Sequence, residues 1–378
     1  MRRAPIFFLG PIFLSIACGM GDAELGSGPD DGSNGGSTTD SGTTRMDASA
    51  GSSSEAAIAS DAAADSLGVG DGAMSAQDAA TLTPAAVVLF GGIDGTEVLG
   101  DTWEWNGTNW TTFDGGVGPS PRTGAAIASF GDKVVLWGGS DGLGPLNDMW
   151  GWDGATWTEI TSAPGLNWLP GSFMAGFEGS LFAYQVSTGA GETSGNLLEF
   201  DGTEWSIEND GSLIPEWQGG GPWGMASVPN EPGPCTTDCP NQLLVLFGAG
   251  SSTNQTWASD GGALAQIDVG ASTSNAYPPP GQGVLAGLTD SLLLVQTASS
   301  LGTTTTWQWS AGAWVQLQVT TPTFANATMA SLGESAVLFA GVAQQTWIWN
   351  ANGWSQASPT TSPPGNRTGQ AMATRFAP

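Results

Sequence analysis

VVLFGG (Val87–Gly92), DTWEWNGTNWTTF (Asp101–Phe113) and PSPRTGAAIASF (Pro119–Phe130) return as VVLWGG (Val134–Gly139), NDMWGWDGATWTEI (Asn147–Ile160) and PGLNWLPGSFMAGF (Pro164–Phe177), with the double glycine and the paired tryptophans each recurring after 47 residues. Each apolar run is short and stops at a glycine pair, the pattern of a buried strand bounded by a turn. Trp103-x-Trp105 puts two rings on one face of a strand. Asn106-Gly107 between Trp105 and Trp110, and Asp153-Gly154 between Trp152 and Trp157, supply the positive φ a hairpin needs.

Fainter copies continue to the C-terminus. The third has Leu181–Tyr184, Leu197–Trp205 and Gly221–Val228, and the fourth has Leu243–Gly250, Thr256–Leu264 and Pro278–Leu288. The fifth has Leu292–Val295, Thr306–Trp314 and Pro322–Leu332, and the sixth has Ala336–Gly341, Thr346–Trp354 and Pro363–Phe376. A five-residue spacing survives throughout: Trp105/Trp110, Trp152/Trp157, Phe200/Trp205, Ser259/Leu264, Trp309/Trp314 and Trp349/Trp354. A unit of this size makes one four-stranded blade, which cannot cover both its faces and must stack with others in a ring.

The hydrophobic run, the double glycine and the spaced aromatics resemble the kelch repeat. The resemblance covers about Val87 to Phe376; it is strong in copies one, two and six, and degenerate in three to five. It implies an all-β, six-bladed kelch-type β-propeller of four-stranded antiparallel blades over residues 85–378, similar to the central domain of galactose oxidase. In the family the Pro-Arg-x-Gly strand precedes the double-glycine strand of the next repeat. The C-terminal strand that begins at Asn366-Arg367-Thr368-Gly369 is therefore expected to complete the first blade and close the ring.

Composition removes several chemistries. The chain has no histidine, which takes away the commonest general base and nearly every zinc or copper site, so no metal or cofactor is expected. The copper chemistry of galactose oxidase also needs tyrosines with specific partners, and Tyr184 and Tyr277 lie in different repeats without them. Seven Lys and Arg against 35 Asp and Glu exclude a nucleic-acid partner. Asp-Gly at Asp141, Asp153 and Asp201 lacks a calcium-loop pattern and reads as turns.

The N-terminus reads as a signal peptide over residues 1–17, with Arg2 and Arg3 before an apolar stretch from Ile6 to Ala17. Leu14-Ser15-Ile16-Ala17-Cys18 resembles a bacterial lipobox, which implies lipidation at Cys18; ordinary cleavage after Ala17 is the alternative, and Ser15 departs from the usual leucine. Residues 18–84, rich in Gly, Ser, Asp and Ala, bury too little apolar surface to fold and read as a disordered tether spanning roughly 45 Å. The chain is thus expected to be exported and lipid-anchored at the outer membrane or cell surface, otherwise periplasmic or secreted. It would meet the membrane only through the lipid and remain a monomer.

Cys235 and Cys239, in PCTTDCP, are expected to form a disulfide in an oxidising compartment. The repeat tryptophans are expected to pack between blades, whereas Trp168, Trp217 and Trp223 fall off the repeat and are candidates for ligand contact. Arg122 and Arg367 occupy equivalent positions, either as ligand-binding groups or as struts bonding carbonyls between blades. The leading functional reading is a binding module for a protein or glycan at the cell surface. The alternative is a carbohydrate-active enzyme, similar to the exported kelch-type sialic acid mutarotases, using these arginines with Glu104, Glu159 or Glu204 in the central funnel.

Overall fold

The computed structural model describes residues 83–377, apart from 114–115, 161–168, 170, 190–191, 209–221, 230–241, 250–253, 260–263, 268–276, 280, 299–302 and 311. No helix occurs among the described residues. The strands form six antiparallel sheets, the blades of a propeller. Blade I holds β1 (Pro84–Asp94), β2 (Glu97–Trp105) and β3 (Trp110–Phe113), and blade II holds β4 (Ala126–Phe130), β5 (Lys133–Trp137), β6 (Met149–Trp152) and β7 (Trp157–Ile160). Blade III has β8 (Phe173–Phe177), β9 (Ser180–Gly189), β10 (Glu192–Phe200) and β11 (Trp205–Ile207). Blade IV has β12 (Pro222–Pro229), β13 (Gln242–Ala249), β14 (Asn254–Ser259) and β15 (Ala265–Gln266), and blade V has β16 (Gly281–Gly287), β17 (Leu292–Ala298), β18 (Thr304–Ser310) and β19 (Ala313–Leu317). Blade VI has β20 (Ala327–Leu332), β21 (Ser335–Ala340), β22 (Gln345–Asn350) and β23 (Gly353–Gln356); the chain then returns to blade I through β24 (Arg367–Thr368) and β25 (Ala371–Phe376).

The last strand closes the ring. β25 pairs antiparallel with β1, Val87 opposite Thr374 and Leu89 opposite Met372, so the C-terminus supplies the innermost strand of the first blade. This ties the two ends of the ring together and leaves no open sheet edge at the seam. The innermost strands β25, β4, β8, β12, β16 and β20 neighbour one another around the axis.

Each interface between blades is built on a large residue meeting a small one. Along the inner strands, Ile127, Met174, Met225, Leu285, Met329 and Met372 occupy one layer, and an alanine comes directly after each. The long side chain falls in one apolar cluster with the alanine of the preceding blade: Ala128 with Met174, Ala175 with Met225, Ala226 with Leu285, Ala286 with Met329, Ala330 with Met372 and Ala373 with Ile127. Alternating volumes let wedge-shaped blades interdigitate without voids.

Further out, the repeat tryptophans join neighbouring blades. Four of the fourth-strand indoles donate Nε1–H to a threonine at the second position of the preceding blade's third-strand repeat. Trp110 reaches Thr346 at 2.9 Å, Trp157 reaches Thr102 at 2.9 Å, Trp314 reaches Thr256 at 2.9 Å and Trp354 reaches Thr306 at 3.0 Å. Blade IV has Leu264 in place of the tryptophan, and blade III correspondingly has Leu197 in place of the threonine; the two share one apolar cluster. Blade III breaks the match. Trp205 faces blade II, where Met149 stands in the threonine position, and its buried Nε1 has no hydrogen-bond partner among the described residues.

Candidate functional site

In an antiparallel blade the connections alternate between two ends, so the propeller has two unlike faces. One carries the links between blades and the second-to-third-strand loops; the other carries the first-to-second-strand turns around the axis.

On the first face, Arg122 and Arg367 each precede an innermost strand by a few residues. Arg122 is 1% exposed and Arg367 0%. Arg122 donates from Nη1 and Nη2 to the two carboxylate oxygens of Asp148, both at 2.7 Å, from Nη1 to Gly138 O at 3.0 Å, and from Nε to Ser120 O at 2.9 Å. Arg367 repeats the pattern in blade I, with Asp101 at 2.8 and 2.6 Å and Gly91 O at 2.7 Å. The same aspartates accept the indole N–H groups of Trp150 and Trp103, both at 2.6 Å. A planar guanidinium matches a carboxylate in this two-point way, and a buried charge requires such a partner. Burial pushes the Asp148 carboxyl up, but the bonds from Arg122 and Trp150 outweigh it and hold the pKa below its ordinary value.

The loops around these clamps form one network. Arg122 N donates to Leu99 O, Gly92 N donates to Arg122 O, and Thr123 and Ser140 exchange backbone bonds, each at 2.9 Å. Gly124 N donates to Gly369 O at 2.8 Å, linking the C-terminal return to blade II. Glycine makes room for this: a Cβ on Gly91, in the first double glycine, would lie 2.5 Å from Arg122 O, and one on Gly341, which follows Ala340, would lie 2.2 Å from Arg367 O. Over this platform the blade II loop carries Leu143, 96% exposed. Asp141 Oδ1 holds that loop by accepting from Leu143 N at 2.8 Å and Gly144 N at 2.9 Å, bonds that also lower the Asp141 pKa.

On the second face a cavity of about 470 Å³ opens along the axis. Its walls are the Met, Ile and Leu layer, then the alanines, then a level occupied in turn by Ser129, Gly176, Ser227, Gly287, Ser331 and Thr374. Hydroxyls bridge blades there: Ser129 Oγ donates to Thr374 O and Thr374 Oγ1 to Ser331 O, both at 2.6 Å. Where glycine replaces the hydroxyl residue the backbones close up; a Cβ on Gly287 would sit 2.0 Å from Ser227 O. Glu178 is the one titratable group among the described residues lining this cavity.

The sequence candidates therefore scatter. Arg122 and Arg367 come together on the loop face, each bonded to an aspartate and to backbone carbonyls, and neither lines the axial cavity; nor do Glu104, Glu159 or Glu204. Glu104 instead accepts from Trp152 Nε1 at 2.7 Å and Arg375 Nε at 2.8 Å within the ring. Trp223 lies in β12, while Trp168 and Trp217 are outside the described residues, in the segments joining β7 to β8 and β11 to β12. Cys18, Cys235 and Cys239 are also outside them. Sequence reasoning missed Asp101 and Asp148, although each stands four residues before the first repeat tryptophan in the only two blades with the arginine. Leu143 and Glu178 gave no sequence signal. No family model matches the chain, and no curated protein matches it.

Proposed function

We propose that this chain is a binding module of the bacterial envelope, lipidated at Cys18, held off the membrane by its tether, and presenting the loop face of blades I and II to a protein partner. One observation carries the reading. Two buried arginine–aspartate clamps lock that face into a rigid platform, on which a large aliphatic side chain, Leu143, stands almost wholly in solvent. A preorganised surface with a projecting apolar anchor loses little entropy on docking, which favours association. An aliphatic tip suits a protein surface better than a sugar, which stacks on aromatic rings. What supports binding over sugar conversion is that Arg122 and Arg367 spend their charges inside the fold, two bonds each to a carboxylate.

Panels of envelope proteins and glycans, titrated with the purified chain, provide the test. The expected result is a protein partner whose affinity falls about tenfold or more in Leu143→Asp, with an unchanged melting temperature, as for a hot-spot residue. A glycan ligand insensitive to that substitution would overturn the reading. Sugar turnover that Arg122→Ala and Arg367→Ala abolish without unfolding would replace it with the enzyme. Anchoring is checked separately: labelling with an alkynyl fatty acid should mark the wild-type chain and not Cys18→Ala.

A further inference from the structure

We propose that the axial cavity on the turn face binds a small uncharged alcohol, its aliphatic chain lying among the methionine side chains and its hydroxyl at the serine–glycine level. This site lies at the opposite end of the ring from the loop platform, so the two proposals stand or fall separately.

Three observations converge. First, a volume of about 470 Å³ is in the range of small-molecule sites. Its depth is lined by Met174, Met225, Met329 and Met372, each 6% to 8% exposed, whereas Met149, inside the apolar cluster between blades II and III, is 0% exposed. Flexible, polarisable thioethers adapt to aliphatic guests.

Second, the wall above the methionines offers acceptors. The Ser129 and Thr374 hydroxyls bridge to a carbonyl of the preceding blade, Thr374 O and Ser331 O, but Gly176 and Gly287 at the same level have no hydroxyl with which to do so. These glycines stand against Ser129 O and Ser227 O, where a Cβ would come within 2.3 and 2.0 Å. Ser129 O and Ser227 O therefore lack the hydroxyl donor that Thr374 O and Ser331 O have. Their level is two residues from the methionine layer, roughly 7 Å at the usual strand rise, which a short alkyl chain spans.

Third, the lining favours an uncharged guest. No Asp, Lys or Arg lines the cavity among the described residues, and Glu178 already has an interaction partner within the protein. An ion entering there gives up hydration without gaining a counter-ion, a cost that an alcohol does not carry.

Methyl NMR of the full chain, labelled at its methionine methyl carbons, tests this, with signals assigned through Met149→Leu, Met174→Leu, Met225→Leu, Met329→Leu and Met372→Leu. Hexan-1-ol at about 0.15 M salt should shift the Met174, Met225, Met329 and Met372 signals saturably and leave that of Met149 in place. Affinity should rise about fourfold per added CH₂ from butan-1-ol to hexan-1-ol. Sodium hexanoate and hexylammonium chloride should each bind about tenfold or more weakly than hexan-1-ol. The isomeric ether, methoxypentane, has no hydroxyl hydrogen and should bind about two- to tenfold more weakly, the worth of one hydrogen bond. Absence of saturable shifts, shifts at Met149 as large as at the other four, an ion that matches the alcohol, or an ether that does so would each overturn the proposal.

Discussion

Where blade II meets blade I, Trp157 finds Thr102, and the Trp152 indole finds Glu104. Where blade III meets blade II, Trp205 packs on Trp137 at 5.0 Å, yet neither indole Nε1 has a partner among the described residues. Both interfaces pack indoles between blades but differ in whether donors meet acceptors. Elsewhere the two sides change together: leucine faces leucine between blades III and IV, and the third strand of blade VI offers Thr346 to Trp110. The ring tolerates degenerate repeats because the match is local to each pair of blades. An apolar pair costs little, while a buried orphan donor costs roughly 1–3 kcal/mol.

The largest effect tests the clamps that blades I and II have and blade VI lacks. In blade VI the arginine position is Phe324 and the aspartate position is Gln345. Arg367→Met should destabilise the fold by about 3–5 kcal/mol in urea titrations, because Asp101 is left without its partner. Adding Asp101→Leu should restore much of the loss, as an apolar replacement of a whole pair does. Additive losses would show that the charge itself, not its pairing, is required.

Next comes the hydroxyl level of the inner ring, where Gly287 and Ser331 occupy equivalent places in blades V and VI. Gly287→Ala drives a methyl into Ser227 O and should cost about 1–3 kcal/mol or more by forcing strands apart. Gly333→Ala, which points into open space but keeps φ at 66°, should cost only about 1–2 kcal/mol from its left-handed backbone. Smaller still, Trp157→Phe should cost about 1 kcal/mol more than Trp205→Phe, the difference being one satisfied hydrogen bond. Equal costs would mean that the indole N–H contributes nothing at either interface.

Acid provides the gentlest probe. Asp148 and the turn aspartates Asp153 and Asp201 are held below their ordinary pKa; for Asp148 and Asp153 hydrogen bonds outweigh burial, and for Asp201 the bond from the Glu204 backbone leads. A carboxyl depressed in the folded state stabilises above its unfolded pKa of about 3.9 and loses that contribution as pH falls through the folded value. Urea midpoints should therefore drop as pH falls below about 4, and Asp148→Asn should flatten part of that slope.

Most of the fold was legible because its information repeats. Six copies of a five-residue spacing fix six hairpins, and the odd placement of Arg367–Phe376 after the sixth hairpin announces the closing strand. The site was less legible. Arg122 and Arg367 were visible as repeat-equivalent cations, but their Asp148 and Asp101 partners lie 26 and 266 residues away. A motif read along the chain does not say whether a guanidinium faces a ligand or a carboxylate. Leu143 and Glu178 are single residues in loops, where no periodicity singles them out.

By itself the sequence determined the architecture, since strands that cannot bury their own tryptophans have to stack until the ring shuts. Only the tertiary structure decided which charges are consumed and which remain. Burial and pairing depend on what the neighbouring blade brings, as Thr102 does for Trp157 and as Met149 fails to do for Trp205. That is a property of six interfaces closing at once rather than of any one repeat.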